Sequence, residues 1–146
     1  GPADLMPRAR HFRKLYGGAM RQVGILAAAG RHALQHHVER LHEDHNNAAA
    51  LADGLEELGF MVRRPVETNM VWCAPPKNLP LPFHALQQSL QEEEGILIGG
   101  PYAGPRGRNP TGQAEKSIRL VTHLDTPRTA VRALLCGLGK HLRRRL

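Results

Sequence analysis

The apolar residues of this chain change period at Gly59, and that change constrains the fold more than any other feature. Over residues 38–58, Val38, Leu41, His45, Ala48, Leu51, Ala52, Leu55 and Leu58 recur at three- and four-residue spacing, which lines one face of an α-helix. Gly59 then ends the helix, because a residue without a Cβ enters the left-handed region at little steric cost. Beyond it, Phe60-Met61-Val62-Arg63 and Asn69-Met70-Val71-Trp72-Cys73-Ala74 are short, β-rich runs separated by Pro65 and Thr68. They read as two antiparallel neighbouring strands.

The remaining elements follow from the same signals. Residues 7–16 form a basic helix or turn punctuated by Gly17-Gly18, and residues 19–35 read as a helix apolar on most of its circumference, the pattern of a helix packed against several neighbours. Pro75-Pro76, Pro80 and Pro82 mark a loop and a helix start, and residues 83–94 are a short helix with Phe83, Leu86 and Leu90 inward. Ile96-Leu97-Ile98 reads as a short buried strand, residues 99–116 as one long loop rich in Gly, Pro and charge, and residues 118–121 as the last strand. Asp125 or Thr126 caps a final helix with Pro127 at its first position and Ala130, Val131, Leu134, Leu135 and Leu138 inward. Arg143-Arg144-Arg145 stands where cations suit the helix dipole. The expected fold class is α+β: long N-terminal helices plus a small, mainly antiparallel sheet with helices on one face.

With 146 residues and 41% apolar content the chain fits one domain with a real core. Gly1-Pro2 has the look of a tag remnant, so the expected organisation is 1–2 tag remnant, 3–37 linking helices and 38–146 a small C-terminal domain, cut from a longer chain. No apolar run is long enough to cross a bilayer, and the start lacks the layout of a secretory signal. Cys73 and Cys136 each sit in an apolar run, outside any CxxC, and read as reduced thiols. A cytoplasmic location is the expectation. The formal charge of +7 permits phosphate-bearing partners without naming one. A nucleic-acid-binding module is the alternative of another class, but the basic residues are spread over every segment and aromatics at 4% are too sparse for a stacking platform. A non-catalytic oligomerisation module is a further alternative.

Two runs, Arg13-Lys14-Leu15-Tyr16-Gly17-Gly18-Ala19-Met20-Arg21-Gln22 and Ser117-Ile118-Arg119-Leu120-Val121-Thr122-His123-Leu124-Asp125, carry a more specific message. With Gly24-Ile25-Leu26-Ala27-Ala28-Ala29-Gly30, Glu43-Asp44-His45-Asn46-Asn47 and Thr68-Asn69-Met70-Val71, in that order, they make the chain resemble the C-terminal part of the low-specificity L-threonine aldolases. These are pyridoxal-phosphate enzymes of fold type I. The resemblance implies the C-terminal domain of that fold, and retro-aldol cleavage of threonine or allo-threonine to glycine and acetaldehyde in the intact enzyme. It further implies a partner N-terminal domain that carries the cofactor, and a homo-oligomer. The cofactor lysine and the histidine that stacks on its ring are expected upstream of the Arg13–Gln22 run. None of Lys14, Lys77, Lys116 and Lys140 corresponds to that lysine, so the chain alone is expected to bind no cofactor and to be catalytically silent.

By the same resemblance, Arg119 corresponds to the arginine that pairs with the substrate carboxylate, a role its planar, bidentate fork suits. Lys14 and Arg21 correspond to the basic pair placed near the cofactor phosphate across a subunit interface, with Gly17 and Gly18 allowing close backbone approach. Ala19 departs from the family's third glycine. The other readings are a solvated strand-edge arginine and a set of surface charges. Two motifs carry less. Asn109-Pro110-Thr111-Gly112 reads as a turn, and His32, His36, His37, His42 and His45, with no HExxH or convergent carboxylate, read as a solvated helix face with His45 partly buried, so no metal site is expected there.

Overall fold

The computed structural model describes residues 1–101 and 117–143. The expected turn at residues 109–112, Lys116, most of the 99–116 loop and two of the three C-terminal arginines lie outside the described residues. The chain divides into two compact units, Gly1–Arg40 and Leu41–Leu146.

In the C-terminal unit, helix α3 (Leu41–Glu57) presents Ala48, Leu51, Ala52 and Leu55 to the core. It ends as the sequence predicts: Gly59 takes φ +83°, and Phe60 N–H turns back onto the Leu55 carbonyl at 2.9 Å. Strand β1 (Met61–Val62) pairs antiparallel with β2 (Met70–Ala74), which pairs antiparallel with β3 (Ile118–Val121) in the order β1-β2-β3. Between β2 and β3 the chain makes helix α4 (Phe83–Glu94), and after β3 helix α5 (Arg128–Arg143). The strand period of two puts Val71, Cys73 and Ile118 into the core. There they meet Leu86 and Leu90 of α4 and Val131, Leu134 and Leu138 of α5. At about 25 cal/mol per Å² of apolar surface, burying this cluster is the main favourable term for the unit. The exposed Arg64, just after β1, forks onto Glu56 at 3.0 and 2.9 Å and also reaches Asp53, and its hydrogen bonds hold the Glu56 carboxyl below its usual range.

Ile96-Leu97-Ile98 departs from its predicted strand. Gly95, at φ +67°, caps α4, and the Ile96 N–H is turned onto the Leu90 carbonyl at 3.0 Å, so it serves the cap rather than a ladder. Ile96 and Ile98 still pack on the core, and Gln87 Nε2 donates to the Ile98 carbonyl at 3.0 Å.

The N-terminal unit holds a short 3₁₀ turn (Ala3–Leu5), helix α1 (Met6–Leu15) and helix α2 (Gly24–His36). Helix α1 has the length expected of residues 7–16, whereas α2 is shorter than the helix expected over residues 19–35. Helix α2 starts at Gly24 because Gln22, at φ +52°, interrupts any helix entering from residue 19. None of the residues in this unit is buried, and Ile25, Leu26 and Leu34 on α2 are 75%, 58% and 74% exposed. The expectation that α2 packs against several neighbours is not met within the unit, because two short helices have too little surface to bury an all-round apolar helix.

Candidate functional site

Strand β3 places its residues alternately on the two faces of the sheet. Ile118 opposes Cys73 on the core face, and Arg119 opposes Trp72 on the open face. The Arg119 guanidinium carbon lies 5.9 Å from the Trp72 ring centroid, where the π-face of the indole attracts the cation. Met61, Met70 and Val121 share this open face and stay 41–55% exposed. Arg119 also borders a cavity of about 380 Å³ lined by Ile98, Gly99, Thr122, Thr126 and Ala130.

The end of β3 is pinned by polar contacts from distant parts of the chain. Thr122 is fully buried; its hydroxyl donates to the Asp44 carbonyl at 2.7 Å, and its N–H donates to the Asn69 carbonyl at 2.9 Å. Asn69 Nδ2 returns a bond to the Thr122 carbonyl at 2.7 Å. Asn47 Nδ2 donates to the Thr126 carbonyl at 3.2 Å, and Arg128 Nη1 to the Asn46 carbonyl at 3.0 Å. Three of the runs that carry the family resemblance therefore meet in space, with Asp44, Asn46 and Asn47 on α3, Asn69 before β2, and Thr122 after β3. Their shared work is to hold the strand that carries Arg119. A buried hydroxyl left without its acceptor costs about 1–3 kcal/mol, so the network resists slippage of β3.

Sequence reasoning missed Trp72 and the Asn69–Thr122 pair. The signal for Trp72 was its place in a strand opposite Arg119, which needs the register; the signal for Asn69 was a polar residue at a strand start within a matched run.

Lys14 and Arg21 lie in the N-terminal unit, and both are exposed. Lys14 is in the last turn of α1, and its carbonyl accepts the Gly17 N–H at 3.2 Å. Gly17 takes φ +78°, and a Cβ on Gly18 would stand 3.0 Å from the Arg13 carbonyl oxygen. Helix termination thus accounts for both glycines by itself. Arg21 sits in the turn before α2 and not in its first turn, because the positive φ at Gln22 delays the helix.

Arg119 in the C-terminal unit, and Lys14 and Arg21 in the N-terminal unit, are each exposed cations of the type that pairs with carboxylate or phosphate. None of the described lysines is placed to act as a covalent nucleophile. Lys14, Lys77 and Lys140 are all exposed, and Lys140 pairs with Glu94, whereas a lysine nucleophile needs desolvation to lower its pKa. Cys73 is buried and its thiol is pushed up to about 11 by desolvation, which makes it an inert packing group.

A family model described as beta-eliminating lyase matches residues 1–75. A low-specificity L-threonine aldolase of Escherichia coli (strain K12) is 41% identical over 128 residues, covering 88% of this chain and 33% of the relative. A probable low-specificity L-threonine aldolase of Schizosaccharomyces pombe is 38% identical over 101 residues, covering 69% of this chain and 25% of the relative. The chain thus spans about a third or less of the length of these curated relatives. Among solved structures, an alanine–glyoxylate aminotransferase from Nostoc sp. superposes with a TM-score of 0.54 at 21% identity, over 70% of this chain and 26% of that one, a likeness of fold alone.

Proposed function

Because the chain belongs to the beta-eliminating lyase family, we propose that it forms the C-terminal small domain of a pyridoxal-phosphate-dependent aldolase acting on β-hydroxy-α-amino acids. In the intact enzyme the reaction is cleavage of threonine or allo-threonine to glycine and acetaldehyde. The partner is a cofactor-bearing N-terminal region, without which these residues are inactive. The observation that carries this reading is Arg119, held on the open sheet face over Trp72 by a strand that three family-like runs pin in place.

Arg119 grips the substrate carboxylate with two parallel N–H donors, a geometry an ammonium cannot offer. Trp72 limits the arcs the guanidinium can sweep, so less side-chain entropy is lost when the carboxylate arrives. Fixing the carboxylate fixes rotation about the substrate Cα and so selects the bond that breaks. Lys14 and Arg21 add positive charge for the phosphate group. Bound cofactor supplies the electron sink for the cleavage.

The test is a chimaera in which this chain replaces the matching third of the Escherichia coli relative. The expected result is a visible cofactor absorbance band, threonine cleavage, and a loss of about 100-fold or more in kcat/KM on Arg119→Ala, mostly through KM. A chimaera that keeps the absorbance band and cleaves threonine equally well with Arg119→Ala would sink the assignment. Self-association through the exposed face of α2 is part of the same reading. Size-exclusion of the chain should show dimers or larger species that dissociate with Ile25→Glu and Leu26→Glu together, and a clean monomer would count against it.

A further inference from the structure

Where the last turns of α4 and α5 meet, Glu93, Glu94 and His141 each offer a ligand atom, and the three atoms lie within 4.8 Å of one another. His141 is only 5% exposed, and its Nε2 is the one buried side-chain nitrogen or oxygen among the described residues that has no hydrogen-bond partner. Buried polar atoms are rarely left so in native structures. Nε2 faces Glu94 Oε1 at 3.7 Å, which is too long for a hydrogen bond. It is close to the roughly 3.4 Å that separates two ligands held about 2.05 Å from a shared tetrahedral zinc ion.

We propose that Glu93, Glu94 and His141 bind a divalent transition-metal cation of the zinc class, which clamps the C-terminal ends of α4 and α5 together. The donor set of one imidazole nitrogen and two carboxylate oxygens favours zinc-like ions over magnesium or calcium, which take oxygen ligands alone. Both helices direct their C-terminal ends, and with them the negative poles of their dipoles, toward this point. Lys140 Nζ pairs with the same Glu94 Oε1 that His141 faces, so the ammonium competes with the ion. Lys140 is 45% exposed, and binding the ion turns it out to water.

The experiment is titration of the metal-stripped 146-residue chain with Zn²⁺ against a chromophoric chelator, with Co²⁺ absorption as a second readout. Wild type should bind one equivalent with a Kd of about 10 μM or tighter. His141→Gln and Glu94→Gln should each weaken binding about tenfold or more, whereas Lys140→Met should tighten it, since the competing ammonium is gone. The double variant His32→Ala, His36→Ala should bind like wild type. Absence of stoichiometric binding, a folded His141→Gln that binds normally, or loss of binding in the His32, His36 variant each overturns the proposal. If His141→Gln fails to fold, Lys140→Met decides, and unchanged or weaker affinity there refutes the site.

Discussion

Helices α2 and α3 are both rich in alanine and leucine, yet α3 buries Ala48, Leu51, Ala52 and Leu55 while α2 buries nothing. The difference lies in what faces them. α3 meets a sheet and α5, whereas the N-terminal unit has only one other short helix to offer. Local sequence is enough to specify a helix; burial needs a partner surface, and among the described residues it is the C-terminal unit that contains one.

The largest expected effect is a core truncation. Leu55→Ala should lower the unfolding free energy of the C-terminal unit by about 2–5 kcal/mol, and Leu26→Ala should change it by less than about 0.5 kcal/mol. Urea titrations followed by the fluorescence of Trp72, the single tryptophan, read both. A comparable cost for Leu26→Ala would break the contrast by showing that α2 contributes to the stability of that unit. Burial of Cys73 gives the next effect. Its folded pKa of about 11 exceeds its ordinary value of 9.0, so above pH 9 the unfolded chain releases a proton that the folded one retains. Stability should therefore fall between pH 9 and 11, by at most about 2–3 kcal/mol. Cys73→Ala should flatten that slope; parallel slopes in the two proteins would mean that the thiol is not desolvated. The smallest effect compares two glycines that both take a positive φ. Gly59→Ala should destabilise the C-terminal unit by about 1 kcal/mol, and Gly17→Ala, at a similar φ, should leave its transition unmoved. A Tm shift with Gly17→Ala would show that folding of the two units is linked.

Much of the C-terminal unit was legible. Residues 83–94 and 118–121 fold over the ranges that the pattern predicts, because Pro82 and Gly95 bracket the helix and the β-branched Ile118 and Val121 favour the strand. Asp125, Thr126 and Pro127 marked the start of α5 one position early: the helix begins at Arg128, and Pro127 precedes it, its carbonyl accepting the first helical bonds at 2.9 and 3.3 Å. Ile96-Leu97-Ile98 misled because composition alone does not show whether an N–H is already committed to a helix cap. Arg119 was found through resemblance, not pattern, since an arginine in a strand looks the same whether it binds a ligand or water. Glu94 and His141 gave no signal, being an ordinary helix-end acid and a histidine far off in sequence.

By itself the sequence determined the punctuation of the chain: where helices stop at Gly59 and Gly95, where the period turns from helix to strand, and which family the ordered runs resemble. These depend on each residue's own backbone and side-chain preferences. Only the tertiary structure decided that Arg119 lies opposite Trp72, that the Thr122 hydroxyl reaches the Asp44 carbonyl 78 residues away, and that His141 is buried against Glu94. Each of those pairings is settled by strand register or helix packing across the core, where the free energy belongs to contacts between distant segments and no single segment encodes it.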